Sequence, residues 1–179
     1  MLIKTLVALA AIIIVVVAVV AMQPSEFRVA RSATIAAPVP VVFAQVDDFH
    51  KWPAWSPYDK LDPAMKKTYD GPPAGTGASY AWAGNDHAGV GRATITESRP
   101  NELVRIKLDF EQPFAGTAFA EFRFKPDGER TVVEWSLSGT NNFVAKAVHL
   151  VMNMDKMVGG QFEDGLAQLK SVAEKAPRG

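Results

Sequence analysis

From Leu6 to Met22 the chain runs through 17 residues without one charged or strongly polar side chain, and counted from Leu2 the apolar segment covers 21 positions interrupted only by Lys4 and Thr5. A helix of that length reaches roughly 31 Å, the thickness of a hydrocarbon core. A core helix of a soluble domain shows a polar stripe, and this segment is apolar on every side. It therefore predicts a membrane helix or a signal segment. A cleaved signal peptide also has a short basic start and an apolar run, and Val19-Val20-Ala21 offers a cleavage site without being an Ala-x-Ala pattern. The run exceeds the roughly 7–15 residues of a signal core and lacks a polar stretch before that site, which favours a retained anchor. Orientation rests on the amino terminus and Lys4 against Arg28 and Arg31, a count that barely discriminates. The expected organisation is an anchor or signal segment over 1–23, a linker over 24–26 and one domain over 27–179, placed on the extracytoplasmic (periplasmic) side.

The remaining composition excludes several partners. Lys and Arg number 19 against 19 Asp and Glu, and the first 26 residues remove one of each, Lys4 and Glu26. A balanced domain lacks the basic excess that phosphate backbones require, so nucleic acid is not an expected partner. Without cysteine there is no disulfide, thiolate nucleophile or sulfur-based zinc site.

Along the soluble part, Phe27, Val29, Arg31, Ala33 and Ile35 alternate with Arg28, Ala30, Ser32 and Thr34 as a strand does. Val42, Phe43, Val46 and Phe49 recur at helical spacing, predicting a helix from Val39 to Phe49, with Pro40 acceptable in its first turn. Trp52-Pro53-Ala54-Trp55-Ser56-Pro57 stops it, and Pro57 to Ala64 reads as loop or a short helical turn. Six strands follow: Lys66 to Tyr69, Ala78 to Trp82, Gly89 to Ser98, Glu102 to Phe110, Thr117 to Lys125 and Thr131 to Gly139. Turn clusters such as Gly84-Asn85-Asp86 and Pro126-Asp127-Gly128 separate them, and short connections imply antiparallel pairing.

Val104, Ile106, Leu108 and Phe110 share one face, as do Ala118, Ala120, Phe122 and Phe124, and Val133, Trp135 and Leu137. One face is apolar and the other wet. The cover is a helical pattern from Asn142 to Lys175, whose stripe includes Phe143, Ala147, Leu150, Met154, Val158, Phe162, Leu166 and Leu169. Gly159-Gly160 inside it predicts a kink or break there, since two glycines cost about 2 kcal/mol against alanines.

Strand, helix, six strands and a long closing helix is the helix-grip order. Ile35-Ala36-Ala37-Pro38 with Val42-Phe43, Val46 and Asp48, then Trp52, Trp55, Ser56 and Pro57, resembles the opening of the START-like (SRPBCC) superfamily in its polyketide cyclase/dehydrase branch. Tyr69-Asp70-Gly71-Pro72, Gly75-Thr76-Gly77, Trp82-Ala83-Gly84-Asn85, Gly89-Val90-Gly91 and Thr131-Val132-Val133-Glu134-Trp135 extend the likeness, which covers about residues 27 to 172. It implies an α+β fold: a curved antiparallel sheet wrapped around the carboxy-terminal helix, with a cavity between them for a hydrophobic ligand. It does not specify one function, since the superfamily holds lipid carriers, coenzyme Q-binding proteins, cyclases and co-chaperone domains.

Chemistry-bearing residues are sparse. His50 stands alone at a helix end, His149 stands alone on the last helix, and Asp86-His87 reads as a solvated hairpin tip. Ser56 lies in no nucleophile elbow, the glycine-rich turns have no following lysine, and Asp47-Asp48 and Asp59 with Asp62 read as solvated charge. No metal or cofactor is expected. The aromatics carry more. Trp82, Phe110, Phe114, Phe122 and Trp135 on the strands, with Met154, Val158 and Phe162 on the closing helix, are the expected cavity lining, and Met152 and Met157 share that helix. Core packing is the competing reading of the same residues. Arg31, on the apolar side of its strand, and His87 are candidate polar residues at the cavity mouth; edge exposure or a register slip is the plainer account of Arg31.

The leading expectation is a membrane-anchored binding domain for a hydrophobic small molecule such as a lipid, quinone or polyketide-like compound. Binding alone needs no catalytic group. A cyclase or dehydrase using His87, Asp86 and Arg31 and a protein-interaction module without a small ligand are the alternatives.

Overall fold

The computed structural model describes residues 2–151 and 153–176. Met152, and the side chain of His149, lie outside what it describes. Helix α1 spans Leu2–Ala21, and its window from Lys4 to Ala21 is apolar and long enough to cross a membrane.

Strand β1 (Glu26–Ile35) is followed by helix α2 (Val39–Val46), two short 3-10 helices at Phe49–Ala54 and Pro57–Lys60, strands β2 (Lys66–Asp70), β3 (Ser79–Ala83), β4 (Val90–Arg99), β5 (Leu103–Gln112), β6 (Gly116–Asp127) and β7 (Arg130–Thr140), then helices α3 (Phe143–Val151) and α4 (Met154–Lys175). The strands form one antiparallel sheet in the order β1-β7-β6-β5-β4-β3-β2. β2 to β7 therefore make a meander, and β1 closes its end against β7. The apolar alternation decides the inner face: Ile106, Ala120, Leu137 and Val29 occupy one register row, and Val104, Phe122, Trp135 and Arg31 the next. α4 packs on β1 and α2 and on the two short helices, burying Val158, Phe162, Leu166, Leu169 and Ala173. This is the α+β helix grip that the sequence predicts.

Two expectations are corrected. The helix expected to reach Phe49 ends at Val46, because Asp48 is extended and its carboxylate accepts the His50 N–H, starting a new 3-10 turn. The indole N–H groups of Trp52 and Trp55 donate to the carbonyls of Val46 (2.9 Å) and Gln45 (3.0 Å), so the tryptophans themselves finish the last turn of α2. The closing helix does not break at Gly159-Gly160, through which α4 runs as continuous helix. Its amino-terminal boundary lies at Asn153, whose side chain caps α4 by accepting the Lys156 N–H.

Candidate functional site

The centre of the grip is an aromatic stack built from three elements. Alternation on β6 and β7 turns Phe122 and Trp135 inward as register partners, with ring centroids 4.8 Å apart. Helical spacing on α4 stacks Phe162 on Trp135, at 4.0 Å and 12°. Gly165, one turn further, permits that approach: a Cβ there would meet Trp135 Cζ3 at 2.6 Å. Trp55 sets its ring edge-on against both Phe122 and Trp135, and Tyr58 meets Trp135 in the same way. Burial raises the Tyr58 phenol well above its ordinary pKa. Within this apolar box two polar atoms, Trp135 Nε1 and Ser56 Oγ, have no hydrogen-bond partner among the described residues. Trp135 is only 2% exposed, and a buried donor left unpaired costs about 1–3 kcal/mol.

A second aromatic pair lies toward the end of the sheet where β1 begins. Trp82 on β3 lies across Gly91 of β4, where a Cβ would come within 2.6 Å of the indole, and its N–H donates to the Ala88 carbonyl in the hairpin turn. Phe110 on β5 meets it edge-on at 5.9 Å. Small residues continue the inner face at this end: Ala93 pairs with Leu108, Leu108 with Ala118, and Ala118 with Gly139. Of the residues named from sequence, Phe122, Trp135, Val158 and Phe162 thus lie in the buried core with Met154 packed against it, and Trp82 and Phe110 form the second group. Phe114 stands apart, 75% exposed beyond the end of β5.

The polar candidates do not converge. Arg31 directs its donors to α4: Nε to Glu163 (2.7 Å), and Nη1 and Nη2 to Asp155 (3.1 and 3.0 Å). Hydrogen bonds donated to these carboxylates raise the Arg31 pKa above its ordinary value, and the guanidinium holds Asp155 below the usual carboxylate range. His87 is exposed in the β3–β4 turn, where its backbone N–H donates to Asn85 Oδ1. Four strand spacings separate β1 from β4, roughly 19 Å of sheet surface, so Arg31 and His87 do not address one atom together.

Sequence reasoning missed a polar cluster at the opposite end. His50 does not stand alone: its Nδ1 lies 3.0 Å from Asp48 Oδ1, and its ring stacks on Tyr69 at 4.2 Å. His50 and Tyr69 line a cleft of about 280 Å³ together with residues that include Phe49, Asp70, Pro72 and Ser79. The Asp48 cap two residues before His50 was the available signal; the Tyr69 partner comes from β2 and depends on the fold.

Comparison with known proteins places this architecture. A protein from Chromobacterium violaceum, CV1439, superposes with a TM-score of 0.60 at 14% identity, covering 86% of this chain and all (100%) of its own. CalU16 from Micromonospora echinospora gives 0.54 at 18%, over 87% of this chain and 88% of its own. The Aha1 dimer from Colwellia psychrerythraea gives 0.60 at 14%, over 83% and 97%. At these identities the likeness is one of fold. A search of curated proteins finds no match. The model of the family described as polyketide cyclase / dehydrase and lipid transport matches residues 26–174, the whole grip from β1 to the last turn of α4, and the chain belongs to that family.

Proposed function

We propose that the protein is a membrane-anchored carrier or sensor of a hydrophobic small molecule, a lipid, quinone or polyketide-like compound, held between the sheet and α4, with α1 as the anchor and the domain on the extracytoplasmic side. The observation that carries this reading is the unpaired N–H of Trp135 inside an aromatic box. An apolar wall fits an apolar ligand body, and the lone donor fits one acceptor oxygen such as a carbonyl or hydroxyl. The family's lipid-transport description agrees with that chemistry. A tether at the bilayer raises the local concentration of a ligand drawn from it.

The test is native mass spectrometry of the full-length protein released gently from its own membrane, followed by identification of what co-purifies. The expected result is a stoichiometric, oxygen-bearing apolar molecule and an intact mass that retains residues 1–23. Trp135→Phe keeps the aromatic plane and removes the donor, so affinity should fall about 2- to 12-fold, the worth of one neutral hydrogen bond. A protein that emerges empty and takes up no apolar probe overturns the carrier reading in favour of a protein-interaction module.

A further inference from the structure

We propose that α3 and the tip of the β5–β6 hairpin lie in the headgroup layer of the bilayer that α1 crosses, so that the end of the grip bearing Trp82 and Phe110 faces lipid. The proposal rests on the anchor reading of α1 and adds to it a second contact surface.

Three independent features bring this end to the membrane. First, α1 ends at Ala21 and β1 begins at Glu26, a connection that spans at most roughly 18 Å when fully extended. It is shorter here, because the N–H groups of Met22 and Gln23 still donate to Ala18 and Val20. Second, the register carries the hairpin tip past that point. Phe27, Gly139 and Ala118 share one level, and Phe110 pairs with Gly116 two register positions nearer the end. Phe114 therefore projects beyond the level at which β1 starts, and it is the most exposed aromatic of the grip at 75%. Third, α3 touches α1. Val20 is the buried residue of α1 among those with described side chains, which puts the contact at the domain end of the anchor.

The surface chemistry of α3 fits that position. Phe143, Val144 and Leu150 are exposed, with Phe143 and Leu150 seven residues apart on one face. Lys146, on the same helix, supplies a cation at headgroup level. A short amphipathic helix fixed beside the end of a membrane helix settles its apolar face into the boundary between headgroups and acyl chains.

The absence of native cysteine makes a direct test simple. Single cysteines Ile13→Cys, Phe114→Cys, Val144→Cys and Glu129→Cys are introduced in the full chain, labelled with a nitroxide and reconstituted in phosphatidylcholine vesicles containing phosphatidylglycerol. Collisions with oxygen, which partitions into lipid, are compared with collisions with a water-soluble nickel chelate. Positions 114 and 144 should lose most of their nickel collisions and gain oxygen collisions, as position 13 does, while Glu129→Cys in the β6–β7 turn remains water-like. If position 13 is in lipid and 114 and 144 match 129, the proposal falls and the anchor stands. If position 13 is not in lipid, the anchor reading falls and takes the proposal with it. Protection of 114 and 144 from both reagents marks a protein contact and also overturns the proposal.

Discussion

The guanidinium of Arg31 occupies the space that a side chain at Gly159 would fill: a Cβ built there overlaps Nη2 and Cζ of Arg31. Gly159 is thus the gap in α4 through which the edge strand β1 reaches Asp155 and Glu163, one residue on each side of the gap along the helix. Its neighbour Gly160 has open space around the same position. Two adjacent glycines on one helix therefore have different reasons to be examined by substitution.

Gly160→Ala should stabilise the protein by up to about 1 kcal/mol, the helix-propensity difference. Gly159→Ala gains the same propensity but displaces Arg31 from its carboxylates, so its net gain should fall short of that of Gly160→Ala. In an Arg31→Ala background the two substitutions should become equivalent. The measurement is a double-mutant cycle by urea unfolding in detergent. Equal effects at 159 and 160 with Arg31 intact would show that the overlap carries no coupling.

The same pair shows how much of the molecule was legible in its sequence. Periodicity is a local property, so the strands, their inner faces and the closing helical stripe could be read directly, and the family likeness ordered them into a grip. The alternation of β1 marks Arg31 as an anomaly on an apolar face, but its partners lie 124 and 132 residues away, and no local pattern points to them. Helix propensity alone predicts a kink or break at Gly159-Gly160; the packing of Arg31 accounts for the first glycine. His50 stands alone in the sequence for a similar reason, since Tyr69 reaches it from a strand across a loop. The candidate ligand residues separated into two groups because alternation identifies a face and not a position along it.

Trp52 and Trp55 make a second prediction. Both are buried, and each indole N–H ends on a carbonyl of the last turn of α2. Trp55→Phe removes the donor to Gln45 and leaves unfilled volume beside Phe122 and Trp135. Its cost should be about 2–4 kcal/mol, combining an orphaned acceptor with a small cavity. Thermal unfolding followed by circular dichroism measures it; a loss below about 1 kcal/mol would mean that the indole bond adds nothing to the packing.

The ion pair of Lys67 on β2 with Asp59 in the second 3-10 helix provides the last prediction, because it is nearly enclosed, with side-chain exposures of 14% and 6%. Burial lowers the Lys67 pKa to about 8, while the adjacent Asp59 carboxylate favours the ammonium, which also lies over the Tyr80 ring. Removing Asp59 as Asp59→Asn leaves a buried charge without its counter-ion and should cost about 3–5 kcal/mol at pH 7. Asp59→Asn combined with Lys67→Met removes both charges and should recover most of that loss. The sign of the pH dependence follows from linkage. In Asp59→Asn the folded-state pKa of Lys67 is at or below about 8, whereas the unfolded chain keeps the ordinary lysine value near 10.4. Between these values the unfolded state binds more protons, so the variant should regain stability as pH rises above about 8, by at most about 1.4 kcal/mol per pH unit for one proton. Urea midpoints at pH 7 and pH 9.5 for the wild type, Asp59→Asn and the double variant test this. An Asp59→Asn midpoint that does not rise between pH 7 and pH 9.5 would mean that Lys67 reaches water when its partner is removed.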